Sequence, residues 1–396
     1  MSRVHSFFKI AWIRRFGQVF LFLFVLFWCL KAMDLVLGYL NQETISGANS
    51  LMDHKEKLAV KDGYDFDALY ADNKQVYGPL LKHHPYRWYS LPPNFKGHYT
   101  RIDSLGFRND QFVSDGQPVV GCFGGSTMYS LYSQQEATIP AFLNQQDSLF
   151  AYNFGVGAYS STTELFLLSE VIRTHRLKVA VFYDGANEIA RYLEYLQSGS
   201  DASFYEVMGY PYNAAKRAAR NEFRSGFSNW SLGLLEYLFP YTSQWIDQSA
   251  DGQQLTQNAN SLVTRKNASN YAHAIANIYL QNRKQIKAVC EAYGVTPVFI
   301  WQSHIYNSNK PFSTAEKAIQ EMPRNQALSL LAKTVEFDIN RFDHSGYHFI
   351  DMSNALDDQD STLQFYDWCH LGKDGNARIA EQIFHYLRQE KLLMPL

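Results

Sequence analysis

The chain has 396 residues, enough for one large catalytic domain with additions or for two ordinary domains. A hydrophobic content of 46% against 19% charged residues excludes a disordered chain. A formal net charge of −2, with no basic stripe in the body of the chain, argues against a nucleic-acid binder.

The N-terminus carries the clearest compositional signal. Arg3, Lys9, Arg14 and Arg15 precede an apolar run from Phe16 to Leu30, which resumes after Lys31 and extends through Leu35–Leu40. No acidic residue appears before Asp34. This asymmetry predicts a cytoplasmic N-terminus over residues 1–15, a transmembrane signal anchor over 16–40, and everything beyond on the far side of the membrane, the periplasm in a Gram-negative cell. A cleaved signal peptide is the rival reading. The run lacks a small-x-small cleavage site and reaches spanning length, which favours the anchor. The cysteines are Cys29, Cys122, Cys290 and Cys369. The odd three beyond the apolar segment give no disulfide framework, and no spacing suggests zinc.

Residues 41–115 are polar, with Pro, Gly and aromatic residues and no sustained period, and read as a membrane-proximal stalk wrapping the edge of the main domain. From 116 to 396 the pattern alternates strand and helix, the signature of a parallel sheet with helical crossovers. Strands are predicted at Val119–Phe123, Ser148–Val156, Leu177–Tyr183, Val295–Trp301 and Tyr347–Ile350. Ser161-Thr162-Thr163-Glu164 reads as a capping box ahead of Leu165, Leu168 and Ile172 on one helix face. A long helix is predicted over Tyr271–Tyr293, stopped by Gly294, and a last one presents Ile379, Ile383 and Leu387. Residues 192–268 interrupt the alternation with an aromatic-rich insertion, a lid or platform near the active face or an elaboration with a small core of its own.

Chemistry-bearing residues gather at the strand ends. Gly124-Gly125-Ser126-Thr127 follows the first strand, where the Ser126 hydroxyl and amide face the open carboxyl edge of the sheet. It is not the G-x-S-x-G elbow, because Met128 stands where the second glycine belongs, so an ordinary α/β-hydrolase is disfavoured. Asn153 to Ser160 ends the second strand, its glycines placed to aim a backbone N–H at a developing oxyanion. Gly185-Ala186-Asn187-Glu188 ends the third, where the Asn187 amide can serve the same oxyanion. Near the C-terminus, Asp367-Trp368-Cys369-His370 places an acid and a base on one turn. Each block alone also reads as an ordinary helix cap or turn.

Taken in order, the four blocks resemble the Ser-Gly-Asn-His (SGNH, GDSL-like) hydrolase superfamily over roughly residues 100–390. Asp103 to Arg108 is similar to a segment preceding the serine in membrane-anchored bacterial relatives. The resemblance implies an α/β chain with a three-layer α/β/α SGNH-hydrolase-like fold around a central parallel sheet, following the N-terminal helix. It implies Ser126 as nucleophile, His370 as general base and then acid, and Asp367 as its orienting carboxylate. The oxyanion donors it implies are the Ser126 N–H, the N–H of Gly157 or Ala158, and the Asn187 side chain; no metal or cofactor is expected. Three positions depart from the family pattern. Gly125 stands where the family usually has Asp, Ala158 falls on the family's glycine when counted from Asn153, and Glu188 replaces an Asp. The leading expectation is a membrane-tethered extracytoplasmic esterase that removes O-acetyl groups from cell-surface carbohydrate. Acyl transfer to a sugar by the same triad, a lipid esterase, and a catalytically silent glycan-binding or assembly protein are the alternatives. Partners are then an acylated glycan or other ester and the membrane, with no nucleic acid.

Overall fold

The computed structural model describes residues 18–36, 42–110, 119–146, 150–198, 237–239, 262–322 and 325–393. The predicted cytoplasmic segment and most of the 192–268 insertion lie outside the described residues. The chain divides into two compact units, Met1–Ser50 with Arg224–Asp251, and Leu51–Phe223 with Gly252–Leu396. In the first unit, α1 (Gln18–Val36) has a mean hydropathy of 2.3 and leaves nearly all its apolar side chains exposed. Its length and composition suit a membrane span, and a signal sequence has the same properties.

The second unit carries the sheet. Ahead of it come α2 (Gln42–Asp62), whose side chains from Leu51 onward belong to this unit, and α3 (Phe66–Val76). Asp65 caps α3 by accepting the Asp67 and Ala68 N–H groups. A hairpin of β1 (Lys82–His84) and β2 (Trp88–Ser90) follows. This edge segment is heavily buried: Leu58, Phe66 and Leu69 cluster with Tyr366, while Val76, Tyr89, Leu91 and Phe107 join the core beneath one sheet face.

The central sheet holds β3 (Val119–Gly124), β4 (Ala151–Asn153), β5 (Leu177–Asp184), β6 (Thr296–Trp301) and β7 (His348–Asp351), in the order β4-β3-β5-β6-β7, with every pairing parallel. Strands buried on both faces must be apolar throughout, which is why they are legible as continuous apolar runs. Alternation sends Val120, Cys122, Val179, Val181, Val298 and Ile300 to one core and Phe123, Ala180, Phe182 and Phe299 to the other. On the second face, Phe154, Phe123, Phe182 and Phe299 stack in series at 4.9, 4.8 and 5.5 Å between centroids, tying four strands edge to edge.

Helices cover both faces, giving three layers. They are α4 (Ser126–Tyr129), α5 (Ile139–Asn144), α6 (Ser161–Val171), α7 (Ala186–Ser198), α8 (Ala268–Ala292), α9 (Thr314–Glu321), α10 (Gln326–Asn340) and α11 (Lys373–Gln389). Ile379, Ile383 and Leu387 are all fully buried on α11, at the predicted spacing. The capping box of α6 sits one residue earlier than predicted: the Ser160 N–H donates to the Thr163 hydroxyl at 2.8 Å. Thr163 reaches back as well as a glutamate would, which frees Glu164 to turn inward, where it is wholly buried. Cys122, Cys290 and Cys369 are free thiols, each buried.

Candidate active site

Ser126 is the first residue of α4, one residue after the fully buried strand β3. Its amide lies among the unpaired N–H groups of a helix start and makes no hydrogen bond among the described residues. Arg108 fixes the turn that follows. Its buried guanidinium donates to the carbonyls of Tyr129 (3.0 Å), Ser130 (2.8 Å) and Ser133 (2.6 Å). The segment Asp103 to Arg108 thus braces the serine loop from outside the strand-helix alternation.

The acid and base converge on the serine. His370 Nε2 lies 2.7 Å from Ser126 Oγ, and His370 Nδ1 lies 2.8 and 2.9 Å from the two Asp367 carboxylate oxygens. With Nδ1–H donating to Asp367, Nε2 is left to accept the serine proton. Asp367 Oδ1 also accepts the backbone N–H groups of Cys369 and His370, each at 3.0 Å, which folds the four residues into a tight turn. Burial would raise the Asp367 carboxyl, but the His370 charge and hydrogen bond, with Lys55 further off, hold it well below the usual range. It is therefore ionised whenever the imidazole needs a counter-charge.

His54, Lys55 and Asp62 of the edge segment reach this turn together with Tyr132, and nothing in the sequence beyond its aromatic density marks them. The Tyr132 ring meets His370 edge-on at 5.2 Å and stacks on Tyr366 at 5.4 Å. Lys55 on α2 donates to the Tyr132 hydroxyl at 2.6 Å, and Tyr366 donates to Asp62 at 2.9 Å. His54 Nε2 bonds the Phe365 carbonyl at 2.9 Å.

The intervening blocks meet beside Ser126. Asn187 Nδ2 donates to the Tyr159 carbonyl at 2.6 Å, which fixes the amide orientation and leaves its second N–H available. A Cβ built on Gly125 would sit 1.9 Å from Asn187 Nδ2. The departure from Asp at this position therefore has a physical reason, since no side chain fits under the asparagine. Gly185 has φ +139°, and a Cβ there would also press on Gln302, so this turn requires glycine. The Gly157 N–H donates to the Tyr77 hydroxyl at 2.8 Å. The Ala158 N–H makes no hydrogen bond among the described residues. Ala158 has φ +68°, a left-handed conformation that glycine adopts more easily, at the position where the family pattern has glycine.

Behind the two loops Glu188, Glu164 and Asp184 form a buried carboxylate cluster, a grouping their positions in the sequence do not reveal. Glu188 accepts the Ser161 N–H at 2.8 Å and the Gly185 N–H at 2.9 Å, so one side chain joins the loops after β4 and β5. Burial pushes Glu188 upward, and burial with like charge pushes Glu164 and Asp184 well above the carboxylate range. Asp367, Cys369 and His370 are the group of described residues whose donor atoms converge closely enough for a metal ion. Both imidazole nitrogens are engaged by Asp367 and Ser126, and burial holds the Cys369 thiol protonated, so the group is poorly suited to one.

No protein-family model and no curated protein matches the sequence. Solved structures do. One is a protein assigned to the lipolytic G-D-S-L family from Desulfitobacterium hafniense, with 10% identity and a TM-score of 0.36 over 68% of this chain and 100% of that one. Another is the psychrotrophic esterase EstA of Pseudoalteromonas, with 10% identity and a TM-score of 0.31 over 69% and 98%. A two-domain esterase active on acetylated mannans aligns with 10% identity and a TM-score of 0.31 over 69% of this chain and 49% of its own. These three are described as a lipolytic protein of the G-D-S-L family and two esterases, and at these identities the likeness is one of fold.

Proposed function

We propose that this chain is a serine ester hydrolase of SGNH type, with Ser126, His370 and Asp367 as its triad. The observation that carries the reading is the relay Ser126 Oγ to His370 Nε2 at 2.7 Å and His370 Nδ1 to Asp367 at 2.8 Å, at the carboxyl edge of a parallel sheet. Ser126 Oγ attacks the ester carbonyl carbon while its proton passes to His370 Nε2. The oxyanion accepts from the N–H of Ser126, the N–H of Ala158 and the free amide N–H of Asn187. Ala158 is preferred to Gly157 because the Gly157 N–H is already taken by Tyr77. Collapse expels the alcohol, protonated by the imidazolium, and leaves the acyl group on Ser126. Water then attacks the acyl carbon while His370 Nε2 takes its proton, the bond to Ser126 Oγ breaks as the imidazolium returns that proton to Oγ, and the carboxylic acid leaves.

The substrate we propose is an O-acetylated carbohydrate at the cell surface, with the domain tethered on the extracytoplasmic side by the apolar α1. Support comes from the likeness of the four blocks to the superfamily and of Asp103–Arg108 to a segment of its membrane-anchored bacterial members. Treatment of the purified protein with a fluorophosphonate should label Ser126, and acetate should be released from an acetylated glycan. Ser126→Ala should abolish both. Absence of labelling in the wild-type protein would overturn the hydrolase reading, and transfer of acetyl to an added sugar would make the protein an acyltransferase.

A further inference from the structure

Two tyrosines from outside the four blocks hold the peptide that would supply the Ala158 N–H. Tyr89 donates its hydroxyl to the Gly157 carbonyl at 2.5 Å, and the Tyr77 hydroxyl accepts the Gly157 N–H at 2.8 Å. The Gly157 carbonyl and the Ala158 N–H belong to one planar trans peptide, so fixing the oxygen fixes the direction of the N–H on the opposite side. A hydrogen bond to the oxygen also polarises the amide and makes its N–H a stronger donor. The conformation needs holding, because Ala158 sits at φ +68° without being glycine.

The clamp is itself braced. Tyr89 is fully buried, Tyr159 donates to the Tyr89 carbonyl at 2.5 Å, and Arg87 donates to the Tyr159 hydroxyl at 3.1 Å. A Cβ on Gly157 would lie 2.8 Å from the Tyr77 ring, so the glycine admits the tyrosine rather than the turn. We propose that Tyr89 and Tyr77 are positioning residues that preset the oxyanion donor, Tyr89 through the carbonyl and Tyr77 through the preceding N–H. The residues before the catalytic sheet therefore complete its active site.

This inference rests on the serine esterase reading, and the experiment separates the two. Full-length wild type, Tyr89→Phe and Tyr77→Phe are compared on p-nitrophenyl acetate, with the rate of fluorophosphonate labelling measured in parallel. Each variant keeps its ring and loses only the hydroxyl. The expected result is a fall in kcat of about tenfold for Tyr89→Phe and less for Tyr77→Phe, with KM almost unchanged and labelling slowed in proportion. That is smaller than the 10²–10³ typical of losing a donor outright. A purely structural role would lower the melting temperature without this kcat-against-KM split. Should Tyr89→Phe not fold, Tyr77→Phe, at a residue only partly buried, decides. Wild-type kcat in the folded variants overturns the clamp alone, whereas an unlabelled and inactive wild type overturns the esterase reading beneath it.

Discussion

At single residues, the site is a set of close approaches that admit few substitutions. Gly125 lies under the Asn187 amide, and Gly155 would place a Cβ 2.5 Å from the Tyr129 nitrogen. Gly125→Ala should push Asn187 off the oxyanion position. Measured on an acetyl ester, kcat should fall about 10²–10³-fold with the fold intact, and near-wild-type turnover would deny Asn187 its role. The serine, the asparagine and the Asp-x-x-His turn were legible in sequence because each sits where a strand or turn ends, and the fold brings them close together. The choice between Gly157 and Ala158 was not legible, since it depends on where a tyrosine some 80 residues earlier spends its hydroxyl.

At the level of elements, one run of hydroxyl residues decided more than its sequence showed. Ser160, Ser161, Thr162 and Thr163 allow several cap registers, and the one adopted leaves Glu164 inside, beside Asp184 and Glu188. A carboxyl whose folded pKa is raised contributes stability that is fully present below its ordinary value and is lost as pH rises towards the folded value. Thermal unfolding should therefore show the melting temperature declining as pH rises above the ordinary glutamate value of 4.5. Glu164→Gln, which keeps the shape and removes the ionisation, should flatten that decline. An unchanged slope would mean the group is ionised in the folded protein. The helices α2 and α3 escaped the sequence reading because their buried positions mix Asp72, Asn73, His54 and Lys55 with apolar residues, which erases the period.

Across the whole molecule, the buried strands β3, β4, β5 and β6 were legible and the edge segment was not, for one reason. A strand buried on both faces must announce itself as an apolar run, whereas residues 51–110 are held by tyrosine hydroxyls, Arg108 and single aromatic rings scattered along the chain. The apolar α1 was equally plain, since a long apolar run is read from composition without any partner segment. The three buried thiols offer a consequence of a different kind. Cys122 lies in β3, Cys290 on α8, where burial pushes it up to about 12, and Cys369 beside the His370 imidazole. A thiol that is buried and protonated reacts only when its surroundings open. Maleimide labelling of the native protein, followed by mass spectrometry, should therefore time the openings of strand, helix and active site separately. A phosphonyl group on Ser126 should slow modification at Cys369 and leave the other two unchanged. Equal slowing at all three would mean that the unit opens only as a whole. The cysteines, which say nothing about disulfides or metal, are thus internal clocks for how the enzyme breathes.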